Sequence, residues 1–290
     1  MKYNRIAPSY EIVERLWKGS VDMHVHPGPD PDVSRRANGF EIAVEAQRAG
    51  MKGVVLKSFF YTTTCLQDAA KMVAPDVEIF GSMTISESLG GLSANAVEEQ
   101  AKMGCKVLWM PAFDAYYFCA PLGFSGSIKL LDNEGKLFPE VIDIIRVVKK
   151  YNMVLCSGHI CYAEAYQLFE EAKRQGVTKM IATHPLANTP CKMTMEQVHT
   201  LADMGVYIEH VYGQCFSRLG SLDPQIYVDA IKEIGAECSI LSGDFAQNTD
   251  PMPAEGFRMA IGTMLQYGCT EAEVEWLVKK NPYKLLDITE

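Results

Sequence analysis

The chain has 290 residues, with 27 Lys and Arg against 36 Asp and Glu, a formal net charge of −9 and 48% hydrophobic residues. That is material for one large α/β core, and a barrel of roughly 250 residues is of this size. The acidic balance without a basic run argues against nucleic acid as the main partner, and no apolar stretch reaches the ~20 residues that cross a bilayer.

Residues 1–20 lack the apolar core of a signal peptide and read as a helical N-terminal extension. Nine cysteines, scattered without a C-x-x-C pair, suit reduced thiols and a cytoplasmic location. Short β-rich runs ending in polar residues follow at 21–26, 53–57, 77–83, 106–110, 153–157, 179–183, 206–210 and 238–242. Between them, amphipathic helices are predicted over 40–50, 92–104, 138–151, 162–176, 194–205 and 224–235. Several close on a glycine and enter the next strand at once (AG-MKGVVL, MG-CKVLWM, QG-VTKMIA), as helices with a left-handed C-terminal glycine do. Strands and helices alternate without hairpins, which implies a parallel sheet. Eight such units close as an α/β (β/α)8 TIM barrel, read here as a single domain over 1–290. An open doubly wound sheet would want a Gly-rich phosphate loop after an early strand, and the sequence has none.

Residues 114–137 are too long for an ordinary βα connection. The stretch YYFCAPLGFSG is aromatic and glycine-rich, and SIKLLDNEGKLF carries a hairpin signal around Asp132–Gly135. In a barrel such an insertion sits at the C-terminal face, so a lid is expected there.

Five of the six histidines stand at strand ends. His24 and His26 share one face of the first strand, because strands repeat every two residues. His159, His184 and His210 follow later strands, 25 and 26 residues apart, which is one βα repeat each time. Imidazoles converging at a barrel mouth repel if protonated and bury poorly unless they share a cation or hydrogen bonds. Asp244, just past the last strand in ILSGDFAQ, completes an N/O set suited to Zn2+, Mn2+ or Fe2+. A lone strand-end histidine is an ordinary hydrogen-bonding residue; five in one register with an aspartate are not.

The pattern D-x-H-x-H after the first strand, His after the fifth and sixth, and Asp after the eighth resembles the amidohydrolase superfamily of metal-dependent hydrolases. The tail VKKNPYKLLDI is similar to a closing N-P-x-x-L-L helix, and DMHVHPGPD, GMKGVVLKS, GGLSANAVE, VLWMPAFDA, SGHI, ATHPLA and IEHVYG resemble a poorly characterised amidohydrolase-like family. The resemblance implies a TIM barrel with a metal centre and names no substrate. It implies His24, His26 and His159 as metal ligands, His184 as ligand or catalytic histidine, and Asp244 as ligand or general base. The Lys or Glu that bridges two metals after the fourth strand has no counterpart here, since Met110 and Pro111 cannot bridge. Lys57 and Glu209 are alternatives at unfamiliar positions, so one ion is expected and a second site stays open.

Lys57 ends an apolar strand and is expected to meet an anion or to snorkel at the rim. Glu209 and His210 are adjacent, so they face opposite sides of their strand; His210 is expected to face inward, and either it or His184 to stabilise an oxyanion. Asp22 shares the face of His24 and is a candidate acceptor for an imidazole N–H. Arg35 and Arg36 read as a solvated loop pair rather than a carboxylate clamp. Phe59–Phe60–Tyr61 and Tyr116–Tyr117–Phe118 follow strand ends, and Tyr116 and Tyr117 are expected at a substrate pocket. Cys156, Cys161 and Cys215 read as structural thiols rather than nucleophiles.

The expected function is a metal-dependent hydrolase of a small-molecule amide, cyclic amide or lactone, with Asp244 handling the water proton. The alternatives are a metal-dependent decarboxylase and a non-catalytic metal- or ligand-binding barrel. The expected partner is a small-molecule substrate, with homo-oligomers left open.

Overall fold

The computed structural model describes residues 7–119, 126–188, 191–216, 220–245 and 247–289. Its strands are β1 (Val21–Val25), β2 (Gly53–Leu56), β3 (Glu78–Phe80), β4 (Ser82–Thr84), β5 (Val107–Trp109), β6 (Val154–Cys156), β7 (Met180–Ala182), β8 (Tyr207–Val211) and β9 (Ser239–Ser242). Its helices begin with α1 (Tyr10–Trp17), α2 (Gly39–Arg48), α3 (Thr64–Lys71), α4 (Ala94–Lys102), α5 (Tyr116–Cys119) and α6 (Pro139–Lys150). They continue with α7 (Tyr162–Arg174), α8 (Met195–Asp203), α9 (Pro224–Ile234), α10 (Pro253–Tyr267), α11 (Glu271–Glu275) and α12 (Asn281–Leu286). The chain divides into two compact units: Met1–Leu56, Leu66–Ile79 and His210–Glu290 form the first, Lys57–Cys65 and Phe80–Glu209 the second.

In the first unit β1 is buried along its whole length and runs parallel to β2, with Val21 opposite Gly53 and Val25 opposite Leu56. Burial on both faces is what a covered parallel sheet requires. Its helices start on local chemistry: the Asn38 side chain accepts from the Phe40 and Glu41 N–H groups while Glu41 accepts from the Asn38 N–H, a capping box that opens α2. At α10 a proline occupies the first turn, where its missing N–H costs nothing. The segment after β9 continues alongside β1, bridging Val25 to Phe245. Helix α12 opens on Asn281, 1% exposed, whose Nδ2 donates to the carbonyls of Ala236 (2.8 Å) and Ser239 (2.7 Å) and so ties the C-terminal helix to the entry of β9.

In the second unit β4, β5, β6, β7 and β8 are hydrogen-bonded neighbours in that order, and the registers, such as Val107 with Val154 and Ile181 with Tyr207, are parallel. Helices α4, α6, α7 and α8 bury their apolar faces, for example Ile144, Ile145 and Val148 of α6 and Leu168 and Phe169 of α7. Within 114–137, Leu131 and Leu137 form an antiparallel bridge around a turn whose Asp132 side chain accepts from the Glu134 and Lys136 N–H groups. The Leu130 N–H donates to Glu164 of α7 at 2.8 Å, anchoring this arm. The middle of the expected lid, residues 120–125, lies outside the described residues.

The strand expected over 77–83 is two strands in different sheets, β3 and β4, parted at Gly81; a glycine inside a strand run marks such a break. Among the described residues no helix is long and apolar enough to cross a membrane. Replacing Asn281 by Ala leaves the Ala236 and Ser239 carbonyls without their buried donor, and the expected loss of about 2–3 kcal/mol is read as a lowered midpoint in urea unfolding.

Candidate metal centre

Strand β1 reads V-D-M-H-V, so Asp22, His24 and the following His26 fall on one face and Val21, Met23 and Val25 on the other. Asp22 Oδ1 accepts from the His24 N–H at 3.1 Å and from the Gly243 N–H at 2.9 Å. Position 243 has to be glycine: a Cβ there would lie 2.5 Å from Asp22 Oδ2 and 2.8 Å from the Phe245 ring. Asp244 then turns left-handed, with φ +53°, a conformation that aspartate tolerates better than most residues. Its N–H donates to the His24 carbonyl at 2.8 Å, and the His26 N–H donates to the Phe245 carbonyl at 3.2 Å.

These backbone bonds bring three side-chain donors to one point. His24 Nε2 and His26 Nε2 are 3.2 Å apart, and Asp244 Oδ1 lies 3.4 Å and 3.0 Å from them. Among the described residues this is the one set of three or more His, Cys, Asp or Glu donors within 4.8 Å of one another. Zinc bonds of about 2.0–2.1 Å in a tetrahedron place neighbouring donors about 3.3–3.4 Å apart. The observed triangle matches one face of such a shell. His24 is fully buried, His26 is 4% exposed, and the Asp244 side chain is 14% exposed. The donors therefore fit a divalent cation, in number, in chemistry and in spacing.

His210 corrects the expectation made for it. Its ring packs 5.1 Å from that of Tyr227 on α9, and its Nε2 lies 3.3 Å from Ser239 Oγ. It faces the helix covering its strand, where Tyr227 also donates its hydroxyl to the Val211 carbonyl at 3.0 Å. Glu209 takes the other face of β8, and its Oε2 accepts from the His184 N–H at 3.2 Å.

The second unit assembles the other expected histidines. At the end of β6, Gly158 has φ +62°, and a Cβ there would lie 2.2 Å from the Met110 carbonyl and 2.6 Å from that of Pro111. This close approach lets the His159 N–H donate to the Pro111 carbonyl at 2.8 Å. The Gly158 N–H donates to Thr183 Oγ1 and the Thr183 N–H to Ser157 Oγ, lacing β6 to β7. His184, with φ +31°, follows β7, and its ring centroid is 5.0 Å from that of His159. Phe59, Phe113 and Phe118 set their rings edge-on to His159 at 6.1, 5.8 and 5.0 Å. Lys57 is fully buried, its Nζ 4.3 Å from the Trp109 ring centroid and 5.0 Å from that of Phe59, a placement in which the ring faces attract the cation.

Burial pushes the Cys156 thiol well above its usual range, with Glu209 pushing the same way and Lys57 pulling against it. Burial likewise raises Cys191 and Cys215 to about 12, and Cys161 upward. A raised thiol is a poorer nucleophile at neutral pH.

Tyr116 and Tyr117 pack edge to face at 5.2 Å, with Lys129 Nζ 3.8 Å over the Tyr116 ring. The aromatic contact to His159 comes from Phe59 and, on either side of the two tyrosines, from Phe113 and Phe118. The sequence reading missed Phe113; its signal was the five-residue step to Phe118, which carries both rings to one imidazole. Arg35 pairs with Asp30 in the first loop. Burial alone would raise the Asp30 carboxyl, but the Arg35 hydrogen bond and the Asp32 and Val33 N–H groups hold it below its usual range.

Residues 19–209 match the group described as "Family of unknown function (DUF6282)", and the chain belongs to that family. In structure it is similar to an amidohydrolase from Pseudomonas aeruginosa (12% identity, 94% of this chain and 98% of that one, TM-score 0.64). It is similar also to the probable dipeptidase PvdM from Pseudomonas aeruginosa (12%, 95% and 97%, TM-score 0.65) and to an organophosphorus hydrolase from Deinococcus radiodurans (16%, 94% and 93%, TM-score 0.56). The likeness shows the fold, an α/β TIM barrel. No curated protein matches the chain in sequence.

The two placements of histidine separate in a titration. His24→Ala and His26→Ala each remove a donor and are expected to weaken Zn2+ binding at least about tenfold, whereas His210→Gln leaves it at the wild-type value. Isothermal titration of metal-free protein with Zn2+ reads the difference.

Proposed function

We propose that this member of the DUF6282 family is a metal-dependent hydrolase of a small-molecule amide, cyclic amide or lactone. The observation that carries the reading is the triangle of His24 Nε2, His26 Nε2 and Asp244 Oδ1, with edges of 3.0–3.4 Å. The names of the two similar Pseudomonas proteins, an amidohydrolase and a probable dipeptidase, favour the amide among these bonds.

His24 and His26 would hold the cation through Nε2. Asp244 would contribute Oδ1. With two nitrogens and one oxygen, zinc is the preferred ion, and manganese or iron suits the same set. When bound, such a cation supplies Lewis acidity, which brings the ionisation of water near neutral pH and polarises a carbonyl oxygen.

Asp244 is the most solvent-exposed member of the triangle, and its carboxylate takes the proton of the attacking water and returns it to the leaving nitrogen or oxygen. The absence of a bridging residue at Met110 and Pro111 supports a single ion. The eight described cysteines are free thiols, which fits a reducing, cytoplasmic compartment.

Two variants separate base from ligand. Asp244→Asn keeps an oxygen donor but loses the base, so the protein is expected to retain metal while turnover of an amide or lactone falls by about 10²–10⁴. His24→Ala loses metal and turnover together. Metal analysis of both proteins and a panel of small amides and lactones read these outcomes. Full activity in Asp244→Asn overturns the mechanism, and release of CO2 from a carboxylated substrate assigns a decarboxylase instead.

A further inference from the structure

We propose that Asp22 is a positioning residue: it fixes the left-handed turn at Gly243 and Asp244 against β1, so that the three donors are assembled before a cation arrives. The inference rests on the cation reading above. The sequence suggested Asp22 as an acceptor for an imidazole N–H, but the groups it serves are backbone. Its Oδ1 takes the His24 N–H at 3.1 Å and the Gly243 N–H at 2.9 Å. One of those residues carries the first donor, and the other directly precedes the residue that carries the third. A single oxygen therefore sets both sides of the triangle.

The side chain is 1% exposed, and leaving two buried N–H groups without their acceptor is costly. The contact is also steric, because Oδ2 sits 2.5 Å from where a Cβ on residue 243 would be. Glycine is the residue least able to hold a turn by itself. The Gly243 peptide thus takes its orientation from Asp22, and Asp244 inherits it, with the Asp244 N–H closing the loop onto the His24 carbonyl at 2.8 Å.

The test compares wild type with Asp22→Ala, which removes the acceptor, and Asp22→Asn, which keeps an oxygen at the same place. Folding is checked by circular dichroism, and Asp22→Thr, which suits a strand, replaces the Ala variant if that variant does not fold. Co2+ is the probe. Asp22→Ala is expected to bind it about 10–100-fold more weakly and with an altered visible spectrum, while Asp22→Asn retains the wild-type affinity and spectrum. In metal-free protein, hydrogen exchange at the Gly243 and Asp244 amides speeds up in the Ala variant and not in the Asn variant. A folded Ala variant with wild-type affinity, spectrum and exchange overturns the proposal. An Asn variant as impaired as the Ala variant overturns it too, because charge rather than the shared oxygen then governs the site. Wild-type protein that binds no Co2+ overturns the cation reading itself, and the exchange measurement, which needs no metal, still decides whether Asp22 holds the turn.

Discussion

Two imidazole nitrogens and a carboxylate oxygen at 3.0–3.4 Å present lone pairs to one another, and without a shared proton or cation such groups repel. Two of them are also almost wholly withdrawn from water, where uncompensated polar groups are costly. The backbone has to impose this arrangement. It does so with four hydrogen bonds: the Asp22 carboxylate takes one N–H from within β1 and one from the segment after β9, and two peptide–peptide bonds join that segment to His24 and His26. The apolar side of the same segment is held by Phe245, fully buried in the first unit. Strain at Asp244 is thus spread over a hydrogen-bonded and packed surround, as strained residues at functional sites require.

The second unit solves a related problem with different means. His159 follows a glycine pressed onto two carbonyls, and His184 has an unusual left-handed backbone whose N–H is taken by a fully buried glutamate. Lys57 and Glu209, both without exposed surface, act in opposite senses on the thiol of Cys156, so the two charges share a neighbourhood. Burial pushes the thiols there upward, and imidazoles, a carboxylate and an ammonium stand beside them.

Much of this was legible in the chain. Alternation of short apolar runs with helical segments gave the barrel, and the two-residue period put Asp22, His24 and His26 on one face. The same period could say only that Glu209 and His210 part company; which of them faces the helices depends on Tyr227, seventeen residues further along and visible only after packing. The third strand was read through Gly81 because composition on both sides is strand-like. Helix α10 escaped notice since Gly256 and Gly262 lower helix propensity, and the reason for Gly256 lies elsewhere in the chain: a Cβ there would meet the Phe245 ring at 2.4 Å. Likewise, the choice of phenylalanines over tyrosines around His159 follows from a short helix, α5, whose orientation no local pattern reveals.

The Phe245 ring leaves no space for a side chain at position 243 or at position 256, and the Asp22 carboxylate closes off position 243 from the other side. These four positions cannot drift one at a time. A methyl group at 256 is tolerable only after residue 245 has become smaller, and a smaller residue 245 removes the packing beneath the turn that carries Asp244. Such a set changes in a fixed order or not at all. Across divergent copies of this barrel, residues 22, 243, 245 and 256 should therefore be inherited as a block, even where the surrounding loops have been rewritten.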